Sequence, residues 1–210
     1  MFITVDAPQL GRREKVCSTR QEWQTPIANA QDMRTKFEGA ASQQQSAGKD
    51  NFRRDQGAAR AISSFIDPTL NWADLPDLIS AAKGMKIVLK GVQSWEDALM
   101  AAEAGVDGIV LSNHGGRQLD FAPSPIAILP AVVEVLKRHG YMTPRDGRGK
   151  FEIFVDGGVR RATDVLKAVA MGATAVGIGR PMIYSMSTYG EEGVSKALQI
   201  LKVGAFFIIG

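Results

Sequence analysis

Residues 86–111 read KIVLKGVQSWEDALMAAEAGVDGIVL, and three structural elements can be predicted within them. Lys86–Leu89 and Gly108–Leu111 are short apolar runs with β-branched residues, which is typical of buried strands. The segment between them predicts a helix over Ser94–Ala104, because it opens with a serine suited to the N-cap position and is followed by glycine. Two strands joined through a helix indicate a parallel pair, so this stretch predicts an α/β fold.

The same alternation continues along the rest of the chain. It predicts strands over Phe2–Val5, Phe151–Val155 and Ala175–Ile178, and helices over Asp74–Lys83, Pro123–Arg138, Ala162–Met171 and Glu191–Lys202. Residues from Gln9 to about Asn51 show no sustained period and predict a long loop, followed by a short helix over Gly57–Ile66. Short strands separated by helices predict a single parallel sheet.

The composition argues against several classes of function. Lys and Arg total 25 against 22 Asp and Glu, and many of the cations fall between residues 12 and 60. No aromatic residues alternate with them and no reading helix is evident, so we expect no nucleic-acid partner. No apolar run approaches the roughly 18 residues of a membrane span and no leader opens the chain, so we expect no membrane and a cytoplasmic location for the chain as it stands. The single cysteine, Cys17, allows neither an internal disulfide nor a cysteine metal cluster.

Ser112–Asp120 (SNHGGRQLD) carries the clearest chemical pattern in the chain. It follows the strand Gly108–Leu111, so it lies at the carboxyl end of a predicted parallel sheet, where such folds place their active sites. His114 could take up a proton near neutral pH, and Arg117 could hold a carboxylate through two hydrogen bonds. Together they predict an acid substrate that loses a proton. The alternative is a core histidine beside a surface arginine.

Asp6 and Lys90 also end predicted strands. A carboxylate at Asp6, placed across the sheet from His114, would fix the tautomer of the imidazole and stabilise its charged form. The alternative for Asp6 is a turn residue. Lys90 could stabilise negative charge on a bound ligand, or its ammonium group could simply extend from a strand end into solvent.

Two glycine-rich segments each follow a predicted strand, Asp156–Arg160 (DGGVR) and Gly177–Arg180 (GIGR). Glycine lets backbone amides approach a phosphate, a helix N-terminus adds positive potential, and arginine supplies paired hydrogen bonds to anions. Either segment alone could be an ordinary turn. The consecutive pair predicts a phosphate site.

Together these motifs resemble those of the FMN-dependent 2-hydroxy-acid dehydrogenases and oxidases. The resemblance runs from Phe2 to about Lys15 and from about Asp32 to Lys202. The matching motifs are Thr4–Pro8 with Arg13, Lys90–Val92, Ser112–Asp120, Asp156–Arg161 and Gly177–Pro181. Gln56–Arg60 and Phe65–Trp72 are similar to a long loop of the cytochrome-linked L-lactate dehydrogenase branch. The resemblance implies an α/β fold of the (β/α)8 TIM barrel type, in which the five strands are roughly the fourth to the eighth.

The resemblance also implies a reaction and the residues that perform it. FMN would be the cofactor, and an L-2-hydroxy acid, L-lactate first, would be oxidised to the 2-oxo acid with a cytochrome or oxygen as electron acceptor. His114 would be the base, Asp6 its orienting partner, and Arg117 and Arg13 the residues that bind the substrate. The residues implied in FMN binding are Thr4, Lys90, Ser112, Asp156, Gly157, Gly158, Arg160, Gly179 and Arg180. The family often forms homo-oligomers.

The chain also departs from the family. The first three strands of the family have no counterpart, so we expect residues 1–210 to be the C-terminal part of one domain. The long loop, residues 12–60, includes a suspected insertion over 16–31, and the last helix is expected to end at Lys202, before an atypical tail of residues 203–210. Both extra stretches begin with valine, whose codons start with GT, so they could be translated introns rather than a natural insertion and a divergent tail. A mature transcript that retains both would contradict the intron hypothesis.

Two alternative functions stay open at this stage. The chain could be an inactive remnant of the barrel that binds at most the flavin phosphate, because the missing strands would carry further active-site residues. It could also resemble an inosinate-dehydrogenase-like barrel, which shares the phosphate loops. That alternative gives no role to His114 and Arg117, and its nucleophile would have to be Cys17, in the suspected insertion. A full-length parent enzyme could be mitochondrial.

Overall fold

The structure, a computed structural model, describes residues 1–6, 69–143 and 150–209. The chain divides into two compact units, one formed by residues 1–6 and 70–210 and the other by residues 7–69. Every element described below belongs to the first unit. The predicted long loop, the short helix over Gly57–Ile66 and the candidate substrate residue Arg13 lie outside the described residues.

Five strands form one sheet in which every adjacent pair is parallel. The strands are β1 (Phe2–Thr4), β2 (Val88–Val92), β3 (Gly108–Leu111), β4 (Glu152–Asp156) and β5 (Ala175–Gly177). Their order across the sheet is their order along the chain. The predicted parallel α/β sheet is therefore confirmed.

Helices connect the strands. They are α1 (Leu75–Ala81), α2 (Trp95–Glu103), α3 (Pro125–Arg138), α4 (Ala162–Ala170) and α5 (Arg180–Ile209), with short 3-10 helices at Trp72–Asp74 and His114–Arg117. The predicted N-cap of α2 is confirmed, since the Ser94 hydroxyl accepts a hydrogen bond from the Asp97 amide at 3.1 Å. Within the described ranges, no helix has both the length and the apolar composition needed to cross a bilayer.

One face of the sheet is buried beneath the helices. Leu89, Ile109 and Ile153 project from this face, and none is more than 2% exposed. They form a single apolar cluster with helix residues such as Leu129 and Leu136 of α3. Burying a side chain of this size contributes roughly 1.5–3 kcal/mol, so this layer accounts for much of the stability of the unit.

The opposite face of the sheet carries the polar side chains. The strand register aligns Thr4 with Lys90, Lys90 with Val110, and Val110 with Phe154. Residues aligned in this way point to the same side of a sheet, and side chains alternate along each strand. Asp156, two residues after Phe154, therefore lies on this side too. We call this side the inner face.

In the part of the chain that the structure describes, the sheet has an open edge on each side. Among the described residues, β1 and β5 each pair with one neighbouring strand. Large apolar side chains are exposed on β1 and α5, namely Phe2, Ile183, Tyr184, Met186 and Tyr189. Unpaired strand edges and bare helix faces are features that closure of a barrel would cover. A sheet of this form is expected for part of a barrel.

The range of α5 contains two helices that meet at Gly190, where the backbone is non-helical with φ at +60°. The second begins after Gly190, which confirms the predicted helix start at Glu191, whereas the first, which begins at Arg180, is not predicted from the sequence. Proline suits the first turn of a helix, because its fixed φ fits and its missing N–H has no partner there. Pro181 is therefore compatible with both a ligand loop and a helix start, and the glycine-rich motif before it favours the first.

The predicted end of this helix at Lys202 is wrong, because α5 continues to Ile209. No proline interrupts the segment after Lys202. Gly204 also allows close packing on α4, since a Cβ placed on it would lie 2.9 Å from the Cβ of Ala162. The other predicted elements of the described residues are confirmed to within three residues at each end.

Candidate active site

Asp6 and His114 meet at the carboxyl end of the sheet. The Val5 amide donates a hydrogen bond to the Lys90 carbonyl at 2.8 Å, which extends the pairing of β1 with β2 up to Asp6. The Asp6 Oδ2 atom accepts a hydrogen bond from the Gly115 amide at 2.7 Å. Its Oδ1 atom lies 3.7 Å from Nδ1 of His114. The structure therefore brings together a carboxylate and an imidazole that the sequence separates widely.

The two side chains of this pair differ in exposure. The Asp6 side chain is 8% exposed, whereas that of His114 is 43% exposed. The Oδ1 atom of Asp6 is buried without a hydrogen-bond partner, so a proton on the facing imidazole nitrogen would provide one. The imidazole thus has one nitrogen beside the carboxylate, while its side chain remains partly accessible to solvent. This arrangement is suited to a general base, because the carboxylate stabilises the imidazolium that proton uptake forms.

Lys90, Ser112 and Asp156 form a second polar group on the inner face. The Lys90 ammonium donates a hydrogen bond to the Ser112 hydroxyl at 3.3 Å and lies 3.5 Å from Oδ2 of Asp156. Ser112 is fully buried, and its hydroxyl also accepts a hydrogen bond from the His114 amide at 3.2 Å. Ser112 therefore links the cation on β2 to the loop that carries the imidazole.

The two glycine-rich loops leave adjacent strands at the same end of the sheet. Asp156 pairs with Gly177 in the register, and Gly158 and Gly179 each lie two residues further on, in the loops after these neighbouring strands. A Cβ placed on either glycine would meet no heavy atom within 4 Å. The backbone at both positions is thus open, and α5 begins directly after the second. An open backbone beside a helix N-terminus suits an anion such as phosphate.

Asp164 binds backbone amides at the start of α4. Its Oδ2 atom accepts hydrogen bonds from the amides of Arg160 and Arg161 at 3.0 and 2.9 Å. These two bonds, chiefly, lower the pKa of the Asp164 carboxyl group below its usual value. Since its amide is already bound, Arg160 would contact a phosphate through its exposed guanidinium group rather than through its backbone.

Replacing Asp164 with asparagine should destabilise the protein at neutral pH only. A carboxyl group whose pKa is lowered by folding adds stability above its unfolded pKa of about 3.9, and this stability is lost as pH falls through the folded value. We expect Asp164→Asn to lower the free energy of unfolding by about 0.3–1 kcal/mol at pH 7, and the difference to vanish in strong acid. Urea denaturation of both proteins across this pH range measures the effect, with Asp120→Asn as a control for loss of one exposed charge. Equal destabilisation at all pH values would contradict it.

Arg117 shares a 3-10 helix with His114. Residues three apart in such a helix project from the same side, because one turn contains three residues. The His-x-x-Arg spacing therefore directs an exposed guanidinium towards the side occupied by the imidazole. Thr4 and Arg180 are also exposed, and the register places Thr4 beside Lys90. The roles predicted for these residues stay predictions.

Two further residues connect these loops and are not among the site residues predicted from the sequence. The Gln93 side-chain amide donates a hydrogen bond to the Ser112 carbonyl at 2.9 Å. The Asn113 side chain lies against Gly157, where a Cβ would be 2.5 Å from its Oδ1 atom. Glutamine and asparagine in loops give no distinctive sequence signal, so only the three-dimensional contacts identify them.

The chain is similar to known proteins throughout its length. Residues 1–204 match the FMN-dependent dehydrogenase family. L-lactate dehydrogenase (cytochrome) of Wickerhamomyces anomalus is 51% identical over 202 residues, which cover 96% of this chain and 31% of that protein. The enzyme with the same description from Saccharomyces cerevisiae is 48% identical over 202 residues, which cover 96% of this chain and 30% of that protein. The chain thus spans about a third of the length of these relatives.

A solved structure supports the same comparison. The flavin-binding domain of baker's yeast flavocytochrome b2 superposes with a TM-score of 0.70 and 43% sequence identity, covering 99% of this chain and 42% of that one. The match extends over the five parallel strands and the helices between them. It confirms the predicted fold class, a partial (β/α)8 barrel.

Proposed function

Because the chain belongs to the FMN-dependent dehydrogenase family, we propose that this protein oxidises an L-2-hydroxy acid, with L-lactate as the first candidate, to the 2-oxo acid. The observation that carries the proposal is the Asp6–His114 pair at the carboxyl end of the sheet. It lies on the same end as a half-buried lysine and two open glycine loops. A base, a cation and a phosphate site are the parts that such a reaction requires.

The residues at this end of the sheet fit FMN. Gly158 and Gly179 leave room for its phosphate, and the guanidinium groups of Arg160 and Arg180 would balance the phosphate charge. The other contacts we propose for the flavin are Thr4, Lys90, Ser112, Asp156 and Gly157. FMN, when bound, supplies the two-electron acceptor that these side chains lack. The Lys90 ammonium is placed to stabilise negative charge on the ligand, as a cation at a strand end can do.

His114 is proposed to remove a proton from the substrate. Its Nδ1 atom faces Asp6 and would keep a proton there, which leaves Nε2 as the basic atom. The proton would come from either the carbon or the hydroxyl of the substrate, and both routes use the same base. Asp6 would hold the ring in place and stabilise its charged form.

The substrate carboxylate is proposed to bind Arg117, with Arg13 as a second arginine. A guanidinium group holds a carboxylate through two parallel hydrogen bonds, which fixes its orientation as well as its position. Since Arg117 lies one 3-10 turn after His114, the carboxylate would be anchored beside the base. The carbon that bears the hydroxyl would then lie next to the imidazole.

Turnover by the FMN-reconstituted chain tests the proposal. We expect L-lactate, but not D-lactate, to reduce an artificial dye through this protein, because the carboxylate anchor and the base fix one face of the substrate. Retained FMN without turnover would favour an inactive barrel remnant, for which the open sheet edges are the supporting observation. Failure to retain FMN would contradict the proposal. Replacing the dye with oxygen or cytochrome c then identifies the acceptor.

A further inference from the structure

We propose that Gly91 and Gly115 form a gap that positions Asp6 against His114, and we call these two residues the glycine gap. The inference rests on the proposed function of the Asp6–His114 pair. It assigns positioning roles to two glycines that are not among the catalytic, substrate-binding or FMN-binding residues implied by the resemblance. The two glycines come from different loops. Gly91 lies near the end of β2, and Gly115 lies in the 3-10 helix after β3.

The space around Asp6 admits no side chain at either glycine. A Cβ placed on Gly91 would lie 2.5 Å from Cγ and 2.8 Å from Oδ1 of Asp6. A Cβ placed on Gly115 would overlap the Asp6 carbonyl oxygen and lie 3.0 Å from the Asp6 Cβ. Ordinary contacts of this kind are 3.4–4 Å long, so a methyl group on Gly91 would displace the carboxylate by about 1 Å.

This displacement would affect both contacts of the carboxylate. Its Oδ2 atom is hydrogen-bonded to the Gly115 amide at 2.7 Å, and its Oδ1 atom lies 3.7 Å from the imidazole. A movement of a catalytic group by about 1 Å can lower the reaction rate by about 10²-fold. Asp6 cannot withdraw freely, because the preceding residue, Val5, is hydrogen-bonded to β2.

Gly91 also allows Lys90 and Val92 to face opposite sides of the sheet. The register of β2 against β3 shifts between Lys90 and Val92, so β2 contains one extra residue at this point, and Gly91 has a φ of +113°. In a regular strand without this bulge, Val92 would lie on the same face as Lys90, since side chains two residues apart share a face. Instead Val92 is 3% exposed within the apolar core, while Lys90 lies on the inner face of the sheet. The same glycine therefore forms the bulge after Lys90 and borders the Asp6 carboxylate.

Gly91→Ala tests the inference, with Gly84→Ala as its matched control. Gly84 also has a positive φ, at +83°, but a Cβ placed on it would meet nothing within 4 Å. The control therefore introduces backbone strain without a contact to Asp6. The readout is the Gly115 amide in NMR spectra of the FMN-free chain, which reports its hydrogen bond to Asp6 independently of any activity.

We expect Gly91→Ala to shift the Gly115 amide resonance upfield and to speed its hydrogen exchange at least several-fold, and Gly84→Ala to change neither. In the FMN-reconstituted protein, kcat should fall by about 10²-fold in Gly91→Ala, with KM for L-lactate nearly unchanged. An unaltered Gly115 amide in a folded Gly91→Ala protein would overturn the inference. Because the amide is read without flavin, absence of turnover in the wild type would count against the proposed function and leave this result intact.

A second variant covers the case in which Gly91→Ala does not fold. Gly115→Ala crowds Asp6 from the opposite loop, and Gly115 is not among the residues with positive φ, so no strain of that kind is added. We expect faster exchange at the backbone amide of position 115 in this variant. A hydrogen-exchange rate at this amide equal to that of the wild-type protein would show that the glycine gap does not position Asp6.

Discussion

Replacement of His114 with glutamine is expected to lower kcat for L-lactate oxidation by about 10²- to 10⁴-fold, the usual contribution of a general base. Glutamine keeps a polar side chain of similar size but cannot take up a proton near neutral pH. FMN binding should be unchanged, because His114 is not among the proposed flavin contacts and the substitution keeps the backbone amide that binds the Ser112 hydroxyl. Steady-state kinetics and flavin titration of the reconstituted protein measure both quantities.

The second histidine provides the control. His139 is exposed after α3, where its Nδ1 atom lies 2.9 Å from the Val135 carbonyl oxygen. His139→Gln should leave kcat within a factor of about two, because the residue lies outside the proposed site. If His114→Gln retained a kcat similar to that of His139→Gln, the assignment of His114 as the base would be wrong.

Replacement of Asp6 with asparagine is expected to lower kcat by about 10²- to 10⁴-fold as well. Asparagine retains an oxygen that can accept the Gly115 hydrogen bond, but it removes the negative charge beside the imidazole. The charged form of His114 would then lose its stabilising partner, and the preferred tautomer would be less well defined. Asp120→Asn, at an exposed loop position, is the control for loss of one negative charge.

A double variant tests whether Asp6 acts through His114 or contributes to the reaction independently of it. Asp6 is proposed to act through His114, so adding Asp6→Asn to His114→Gln should cause little further loss of kcat. Effects of residues that act as a unit are strongly non-additive. If the two losses multiplied, Asp6 would contribute to the reaction by a route that does not involve the imidazole.

The parallel sheet, and the location of the candidate site at its carboxyl end, could be predicted from local sequence. Apolar runs such as Gly108–Leu111, an N-cap serine at Ser94 and glycine after helices are all local signals, and the structure confirms the elements that they predict. Once the strands are known, residues that follow them must lie at one end of the sheet. The positions of His114 and Asp156 at that end therefore follow from the sequence.

The contacts within the site could not be predicted in the same way. The hydrogen bond between Gly115 and Asp6 spans 109 residues, and no local pattern fixes a distance across the sheet. The bulge at Gly91 is equally hidden, because glycine at a strand end is compatible with an ordinary turn. The helix start at Arg180 is hidden for a related reason, since a ligand loop and a helix start use the same residue types.

The most direct test is the anaerobic visible spectrum of the FMN-reconstituted chain before and after addition of L-lactate. This measurement isolates the first half of the reaction, so it needs no knowledge of the natural electron acceptor. If the Asp6–His114 pair and the two glycine loops form a working site, the flavin absorbance should bleach with L-lactate and persist with D-lactate. Flavin that stays oxidised with L-lactate would contradict the proposed function of this chain.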